Sequence, residues 1–519
     1  MNRFYVTTPI YYVNGAPHLG HAYTTVLADA IARHHRQRGD RVRFVTGTDE
    51  HGLKVQRAAE AAGVAPKALA DQNAAQFRDL FARLGLSNDR FIRTTDADHL
   101  ATVERMLQRL IAAGDVYLGG YEGWYAASDE AFYDDDEVAG GHAIASGSAV
   151  EWVREESYFF RLSRYQDALL AWYDQEPAVI LPETRRNEVQ RFVEGGLKDL
   201  SISRTTFSWG VPWPGDPRHV LYVWVDALTN YFTAAGGFAD AEANADAEWW
   251  PADLHLLGKD ILRFHAVYWP AFLLSAGLPL PRRLLTHGWW TSSGGEKQSK
   301  SKGNVVDVNA LLDRFQLDAL RFFLFRDKPV AGDGSFSEAR LLARSNAELA
   351  DNLGNLVNRS LRMLERYRSG IVPPVAEGDE PLDRALRQGL AATAQTLQQA
   401  MDDLDLLAAV TAFIEQSSAL NLYVNDTQPW SLAKQGEEAR LDAVLYHAVE
   451  GLRHLGILGH AFMPGTCQAI LAALGEPTAE APAWSDLRWG GLPAGRQTSA
   501  PPVLFTKLDA EALGLAETA

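Results

Sequence analysis

The opening fifty residues constrain the fold more than any other feature. Phe4 to Thr8 read as a buried strand, a Pro/Asn/Gly loop follows, and a long helix runs from about His18 to Arg38. Gly39-Asp40 ends that helix, and Val42 to Gly47 supplies the next strand. Parallel neighbours need a crossover, and a helix is the usual one, so strand, loop, helix, strand is how a doubly wound parallel sheet begins. The expected fold class is therefore α/β, a Rossmann-like parallel sheet.

From Tyr117 to about Trp209 the pattern changes to Gly, Asp, Tyr and short alternating runs such as Trp152-Val153-Arg154, which read as an insertion splitting the sheet. Strand-and-helix alternation resumes at Leu221-Tyr222-Val223-Trp224 and continues through Leu254–Leu257 and Leu284–Thr286. After about Asp307 the chain turns helical. Leu349, Leu353, Leu356 and Leu361 recur at helical intervals within Leu341–Arg368, and Leu382–Leu422 and Leu441–Leu458 behave alike, so an α-helical bundle is expected. From about Pro477 the chain is Pro- and Gly-rich, with an apolar patch, Val503-Leu504-Phe505, expected to dock back on the body.

Composition narrows the class. A chain of 519 residues exceeds one core and suits three or four domains of about 100–200 residues. It has no apolar run of the roughly 18 residues that suggest a spanning helix, and its first residues lack a secretory leader's apolar stretch. A cytoplasmic protein without membrane contact is expected. The single cysteine, Cys467, rules out an intramolecular disulfide and any multi-cysteine zinc site. A formal charge of −17 argues against a general phosphate binder. It still permits a selective RNA partner, for which a local basic track on an acidic surface discourages non-specific binding. Charge does not decide the question; motifs must.

Two motifs carry chemistry. His18-Leu19-Gly20-His21 opens a helix, where unpaired backbone N–H groups favour phosphate. Both histidines project on one side of the first turn, and Gly20 permits close approach of a nucleotide. Two capping or surface histidines are the alternative. The second motif, Lys297-Gln298-Ser299-Lys300-Ser301-Lys302-Gly303, packs lysines and hydroxyls into a loop suited to neutralising a polyphosphate. A solvated basic loop or an RNA-backbone contact is the alternative there.

Together these motifs resemble the two signatures of the class I aminoacyl-tRNA synthetases, known by the letters HIGH and KMSKS, with Leu19 and Gln298 as departures that remove no phosphate-contacting group. Further runs resemble the methionine-specific family of that class over nearly the whole chain: Thr8-Pro9-Ile10-Tyr11-Tyr12-Val13-Asn14-Gly15, Thr46-Gly47-Thr48-Asp49-Glu50-His51-Gly52, Tyr222-Val223-Trp224-Val225-Asp226-Ala227-Leu228-Thr229-Asn230-Tyr231 and Gly258-Lys259-Asp260-Ile261-Leu262-Arg263-Phe264-His265. The class members for Val, Leu and Ile are much larger because they carry an editing domain.

The resemblance implies ATP-dependent activation of methionine and its transfer to the 3′ end of methionine tRNA. It places Lys300, Lys297, His18 and His21 at the reacting phosphates, with Gly20, Gly258, Asp260, Ser299 and Ser301 completing the ATP site. Ile10, Tyr12, Trp224, Ala227, Leu228, Tyr231, Ile261 and His265 line the methionine pocket, and Asp49 holds the α-ammonium. A thioether carries no charge to grip, so shape and polarisable sulfur–aromatic contacts must select it, with Tyr12 or His265 offering a weak hydrogen bond to sulfur. Asn355, Arg359, Pro429 and Trp430 are implied at the anticodon, by stacking and edge hydrogen bonds.

Mg²⁺ is expected with ATP, and no zinc, because the stretch Gly123–Glu130 lacks the family's paired cysteines. Expected partners are methionine and methionine tRNA, with no DNA, and a monomer is expected. The implied domains are two halves of a catalytic nucleotide-binding domain (1–116 and 210–305), a connective insertion (117–209), a stem-contact connector (306–345), a helical anticodon-binding domain (346–465) and a C-terminal tail docking back (466–519). Two rivals stand beside this reading: a class I enzyme for another amino acid, and a non-catalytic tRNA-binding relative, against which the intact lysines argue.

Overall fold

The computed structural model describes residues 2–126, 131–238, 247–292, 305–374, 380–478, 481–500 and 502–515. The chain forms two compact units, one made of residues 3–17 and 43–287, the other of 1–2, 18–42 and 288–519.

The first unit holds a six-stranded sheet built from β1 (Arg3–Tyr12), β2 (Arg41–Asp49), β3 (Arg90–Arg93), β4 (Ile180–Leu181), β5 (Leu254–Gly258) and β6 (Leu284–His287), in the order β3-β2-β1-β5-β6-β4. The pairs β2–β3, β1–β5, β5–β6 and β6–β4 run parallel. Six consecutive residues of β1, Phe4 to Pro9, are buried, as a strand covered on both faces requires. Gly47 in β2 is obligatory, since a Cβ there would lie 1.9 Å from the Ile92 carbonyl oxygen of β3. A second, antiparallel sheet pairs Val116–Ala126 with Glu151–Phe160 and adds Leu200–Ser201 and Ala131–Tyr133. Its strands are spread across the stretch read as an insertion, with the helices Gln166–Gln175 and Glu183–Glu194 between them. β4 lies inside that same stretch yet pairs with β6, so the parallel sheet takes one strand from within it.

One sequence expectation is corrected here. The run Leu221–Trp224 does not open a strand of any length: Val220–Leu221 makes a two-residue strand, and Val223–Thr233 is a helix buried at every position. A helix buried on all sides, polar residues included, has no exposed face to set a periodic stripe and reads like a buried strand.

In the second unit, α1 (Leu19–Gln37) matches the expected helix within a residue at each end. Trp290–Thr291 pairs with Gly334–Ser335, and the buried Lys328 gathers this corner by donating to the Gly332 carbonyl (2.9 Å) and the Tyr23 hydroxyl of α1 (3.0 Å). The helical bundle follows. Glu338–Arg344 runs through π-helical turns at Ser345–Gly354 into Asn355–Arg368, and Glu438–Leu458 is buried along nearly its whole length. Glu450 in that central helix accepts from Arg453 and from the backbone N–H groups of Gly491 and Leu492. Burial would raise its pKa, but His454 and Arg453 hold it down at about 2. In the tail, Leu504 and Phe505 are buried, whereas Val503 faces solvent, 78% exposed. No helix among the described residues is long and apolar enough to cross a membrane.

Arg321 and Asp29, both fully buried, tie Leu317–Arg326 to α1 at 2.7 Å, and Arg321 also donates to the Phe462 carbonyl. Removing one partner of such a pair strands the other charge. Asp29→Ala should therefore lower the stability of this unit by about 3–5 kcal/mol. Arg33→Ala, which removes the more exposed of Asp29's two arginines, should cost about 0–1 kcal/mol. Denaturant midpoints of the two variants check the contrast, and equal costs would contradict it.

Candidate active site

β1 lies between β2 and β5, so the chain leaves β1 toward β2 on one side while β5 flanks it on the other. In open α/β sheets such a switch point, at the carboxyl ends of the strands, is where ligands sit. The carboxyl end of β1 carries Ile10 and Tyr12, which share a face two residues apart and are half-buried, whereas Tyr11 between them turns inward and stacks on Phe77 at 5.7 Å. Asp49 ends β2 and is buried, and its carbonyl accepts from the Val13 N–H at 3.3 Å. Gly258 ends β5; a Cβ there would meet the Asp260 carboxylate at 2.7 Å.

The helix Val223–Thr233, here α2, supplies Trp224, Ala227, Leu228 and Tyr231, all buried. Trp224 lies flat on Phe264, with ring centroids 3.8 Å apart, and its Nε1 has no hydrogen-bond partner among the described residues. Tyr231 donates to His265 Nε2 at 2.7 Å, and His265 Nδ1 donates to the Ile261 carbonyl at 2.9 Å. Burial pushes the Tyr231 phenol well above its ordinary value and lowers His265 to about 4, so the phenol keeps its proton and the imidazole is neutral. This corrects one expectation. Both His265 nitrogens are spent, so it has no N–H to offer a sulfur; it fixes Tyr231 instead. Tyr12 remains, with the Lys54 ammonium 4.4 Å from its ring centre.

Sequence reasoning missed several groups here. Phe264 is the stacking partner of Trp224. His255, fully buried, bonds Thr7 at 2.7 Å and lies 4.4 Å from the Tyr231 ring. Asp226 accepts from His51 Nδ1 at 2.6 Å and His99 Nε2 at 2.8 Å. Burial works to raise the Asp226 pKa, but His51 and then His99 outweigh it and hold it at about 2. His51 and Asp226 stand in the motifs that resemble the family, yet their 175-residue separation hides the pairing.

In the second unit, His18 caps α1: its Nδ1 accepts from the Gly20 N–H at 3.1 Å, and His21 Nδ1 accepts from the His18 N–H at 3.1 Å. The rings lie 3.8 Å apart, and a Cβ on Gly20 would press to 3.0 Å from the His18 ring. With both Nδ1 atoms accepting, each neutral ring carries its proton on Nε2. Capping, one of the alternatives left open by the sequence, is thus real and leaves a donor tautomer. Lys297, Ser299, Lys300 and Ser301 lie outside the described residues.

The same unit brings the predicted RNA-reading residues together. Asn355 and Arg359 line a groove of about 420 Å³ with Asn352, Ser418, Asn421 and Asn425. The Arg359 guanidinium carbon is 5.7 Å from the Trp430 ring centre. Pro429 is buried and starts the short helix that holds Trp430, which is 43% exposed rather than a core residue. Among the described residues, no group of three or more His, Cys, Asp or Glu side chains is arranged to hold a metal ion.

The profile of the family described as tRNA synthetases class I (M) matches residues 4–143 and 136–361, and that described as the anticodon binding domain of methionyl tRNA ligase matches residues 372–515. The methionine–tRNA ligase of Brucella suis biovar 1 is 46% identical over 97% of this chain and 98% of its own length. The chain belongs to the methionyl-tRNA synthetase family. Another member, the methionine–tRNA ligase of Halalkalibacterium halodurans, is 44% identical over 98% of this chain and 79% of its own. The Mycobacterium tuberculosis methionyl-tRNA synthetase, solved in complex with methionyl-adenylate, matches with a TM-score of 0.94 at 46% identity, covering 97% of this chain and 100% of that one. The six-stranded parallel sheet and the helical domain after it are thus the class I synthetase fold with its anticodon-binding domain.

The lowered pKa of His265 gives a testable pH dependence. Between its ordinary value of 6.5 and about 4 the unfolded chain binds a proton that the folded chain refuses. Stability from this residue is therefore complete above pH 6.5 and falls as pH drops toward 4, at about 1.4 kcal/mol per pH unit. His265→Gln, which does not titrate, should flatten the pH slope of the unfolding free energy by that amount. An unchanged slope would mean that His265 titrates normally.

Proposed function

We propose that the chain joins methionine to methionine tRNA in two steps at the switch point of its parallel sheet. The family is the observation that carries the reaction, and the convergence of Ile10, Tyr12, Asp49 and the aromatic face of α2 on one sheet edge supports the subsite. Asp49 receives the α-ammonium. The buried aromatics offer the thioether polarisable contacts in place of charge. The methionine carboxylate then attacks the α-phosphorus of ATP, and pyrophosphate departs with the electrons of the broken P–O bond. Lys297 and Lys300 stabilise the charge on the pentacoordinate phosphorus, and the Nε2–H donors of His18 and His21 bind phosphate oxygens at the amino end of α1. Gly258 and Asp260 face the ribose, while Ser299 and Ser301 serve the lysine loop. Mg²⁺ enters as part of the nucleotide substrate.

A hydroxyl of the tRNA's terminal adenosine then attacks the adenylate carbonyl carbon, and AMP leaves. Asn355, Arg359 and Trp430 read the anticodon, with Pro429 fixing the approach of the tryptophan. The domain boundaries expected from the sequence stand as part of the same proposal, as do a monomer and a cytoplasmic location.

ATP–pyrophosphate exchange across a panel of amino acids tests the reading: methionine alone should support exchange. A signal with another amino acid, or with none, would overturn it. Lys300→Ala should slow exchange about 10²–10³-fold with little change in methionine affinity. Trp430→Ala should leave exchange near wild type and cut transfer to tRNA about 5- to 150-fold, through loss of roughly 1–3 kcal/mol of stacking. Because Trp430 is partly exposed, its melting temperature should barely move. Normal aminoacylation by that variant would remove Trp430 from the RNA site.

A further inference from the structure

The turn that follows β2 is held with unusual completeness. Glu50 is buried and accepts from Arg93 through both oxygens (2.5 and 2.8 Å), from Thr95 at 2.6 Å and from Thr48 at 2.8 Å, while its N–H donates to Thr94 at 3.0 Å. Its carbonyl accepts from Trp209 Nε1 at 2.5 Å, and the Gly52 N–H donates back to the Trp209 carbonyl at 2.9 Å. His51, the last side chain of this turn, reaches Asp226 in α2. An ionised carboxylate only accepts, so both imidazoles donate to it. His99 comes from the helix Ala97–Ala112, and its other nitrogen bonds Thr233, the last residue of α2, at 3.0 Å. Three elements are thus pinned to one buried carboxylate. Apolar residues of similar volume would commonly hold them at less desolvation cost, so the polar solution calls for a reason beyond stability.

Neighbours in the chain supply that reason. His51 stands two residues after Asp49, and Asp226 stands between Trp224 and Ala227 on the helix that carries four of the pocket residues. We propose that Asp226, clasped by His51 and His99, is a positioning residue for the methionine subsite, fixing the distance between the carboxylate of Asp49 and the aromatic face of α2. An amino acid gripped at its ammonium and at its side-chain end binds only when those two grips keep one spacing. ATP does not depend on that spacing. The inference rests on the pocket assigned under Proposed function.

Isosteres make the test specific. The side-chain nitrogen of Asn falls where His Nδ1 does, so His51→Asn keeps the donor, whereas His51→Leu removes it; His99→Gln likewise keeps a donor near the Nε2 position. In ATP–pyrophosphate exchange with the full chain, Asp226→Asn and His51→Leu should raise the KM for methionine about 10- to 100-fold, with the KM for ATP within about threefold. His51→Asn and His99→Gln should stay within about threefold of wild type in both. A lowered melting temperature with an unchanged methionine KM would reduce the clasp to a structural role and overturn the proposal, as would His51→Asn failing as badly as His51→Leu. Should Asp226→Asn not fold, the two His51 variants carry the comparison alone. Asp49→Ala, run alongside, separates the two readings. If it leaves the methionine KM unchanged, the pocket assignment falls and the proposal with it. If it raises that KM while Asp226→Asn and His51→Leu do not, only the clasp is refuted.

Discussion

The place of β1 between β2 and β5 is the constraint on which the first unit depends. Parallel strands bring their carboxyl ends to one edge, and at the switch point the connections diverge and leave a crevice. Several buried polar groups at that edge find their partners within the protein. Asp226 meets two histidines, Glu50 an arginine, three threonine hydroxyls and the Trp209 indole, and His265 a phenol and a carbonyl. An unsatisfied buried group costs about 1–3 kcal/mol and a stranded charge more, so these contacts fix side chains that an apolar core would let slide.

How much of this was legible depended on range. Local signals carried far: α1 was bounded to within a residue because a His/Gly opening and a Gly-Asp close are local chemistry, and the bundle appeared in leucines at helical spacing. Long-range pairing was not legible. Nothing near residue 226 announces a bond to residue 51, and nothing near residue 265 shows that both its ring nitrogens are already committed. The helix Val223–Thr233 misled because a fully buried helix has no polar face to reveal its period. β4, with two residues, is too short to stand out from the alternating runs around it.

The helical unit answers the charge puzzle posed by the composition. A net charge of −17 leaves little general affinity for polyanions, and the groove at Asn355 is lined by four asparagines, with one arginine, Arg359, and one carboxylate, Asp351. Such a surface suits reading base edges more than gripping phosphates. The tail contributes to its geometry: Leu508 exchanges two hydrogen bonds with Asn346, and Lys507 pairs with Asp351, both within the π-helical turns that lead into the helix of Asn355 and Arg359. Each π turn shifts the face that follows it, so the tail braces the stretch that sets which side chains meet the groove.

The central claim is that methionine is held at two places at once, by charge at Asp49 and by aromatic burial on α2. Calorimetric titration of the chain with methionine and with its deaminated analogue, 4-(methylthio)butanoate, measures the first grip against the second most directly. The account predicts binding of methionine and a loss of about 100-fold or more for the analogue, since a desolvated charge-assisted contact is worth roughly 3 kcal/mol. Equal affinity for the two compounds would contradict it.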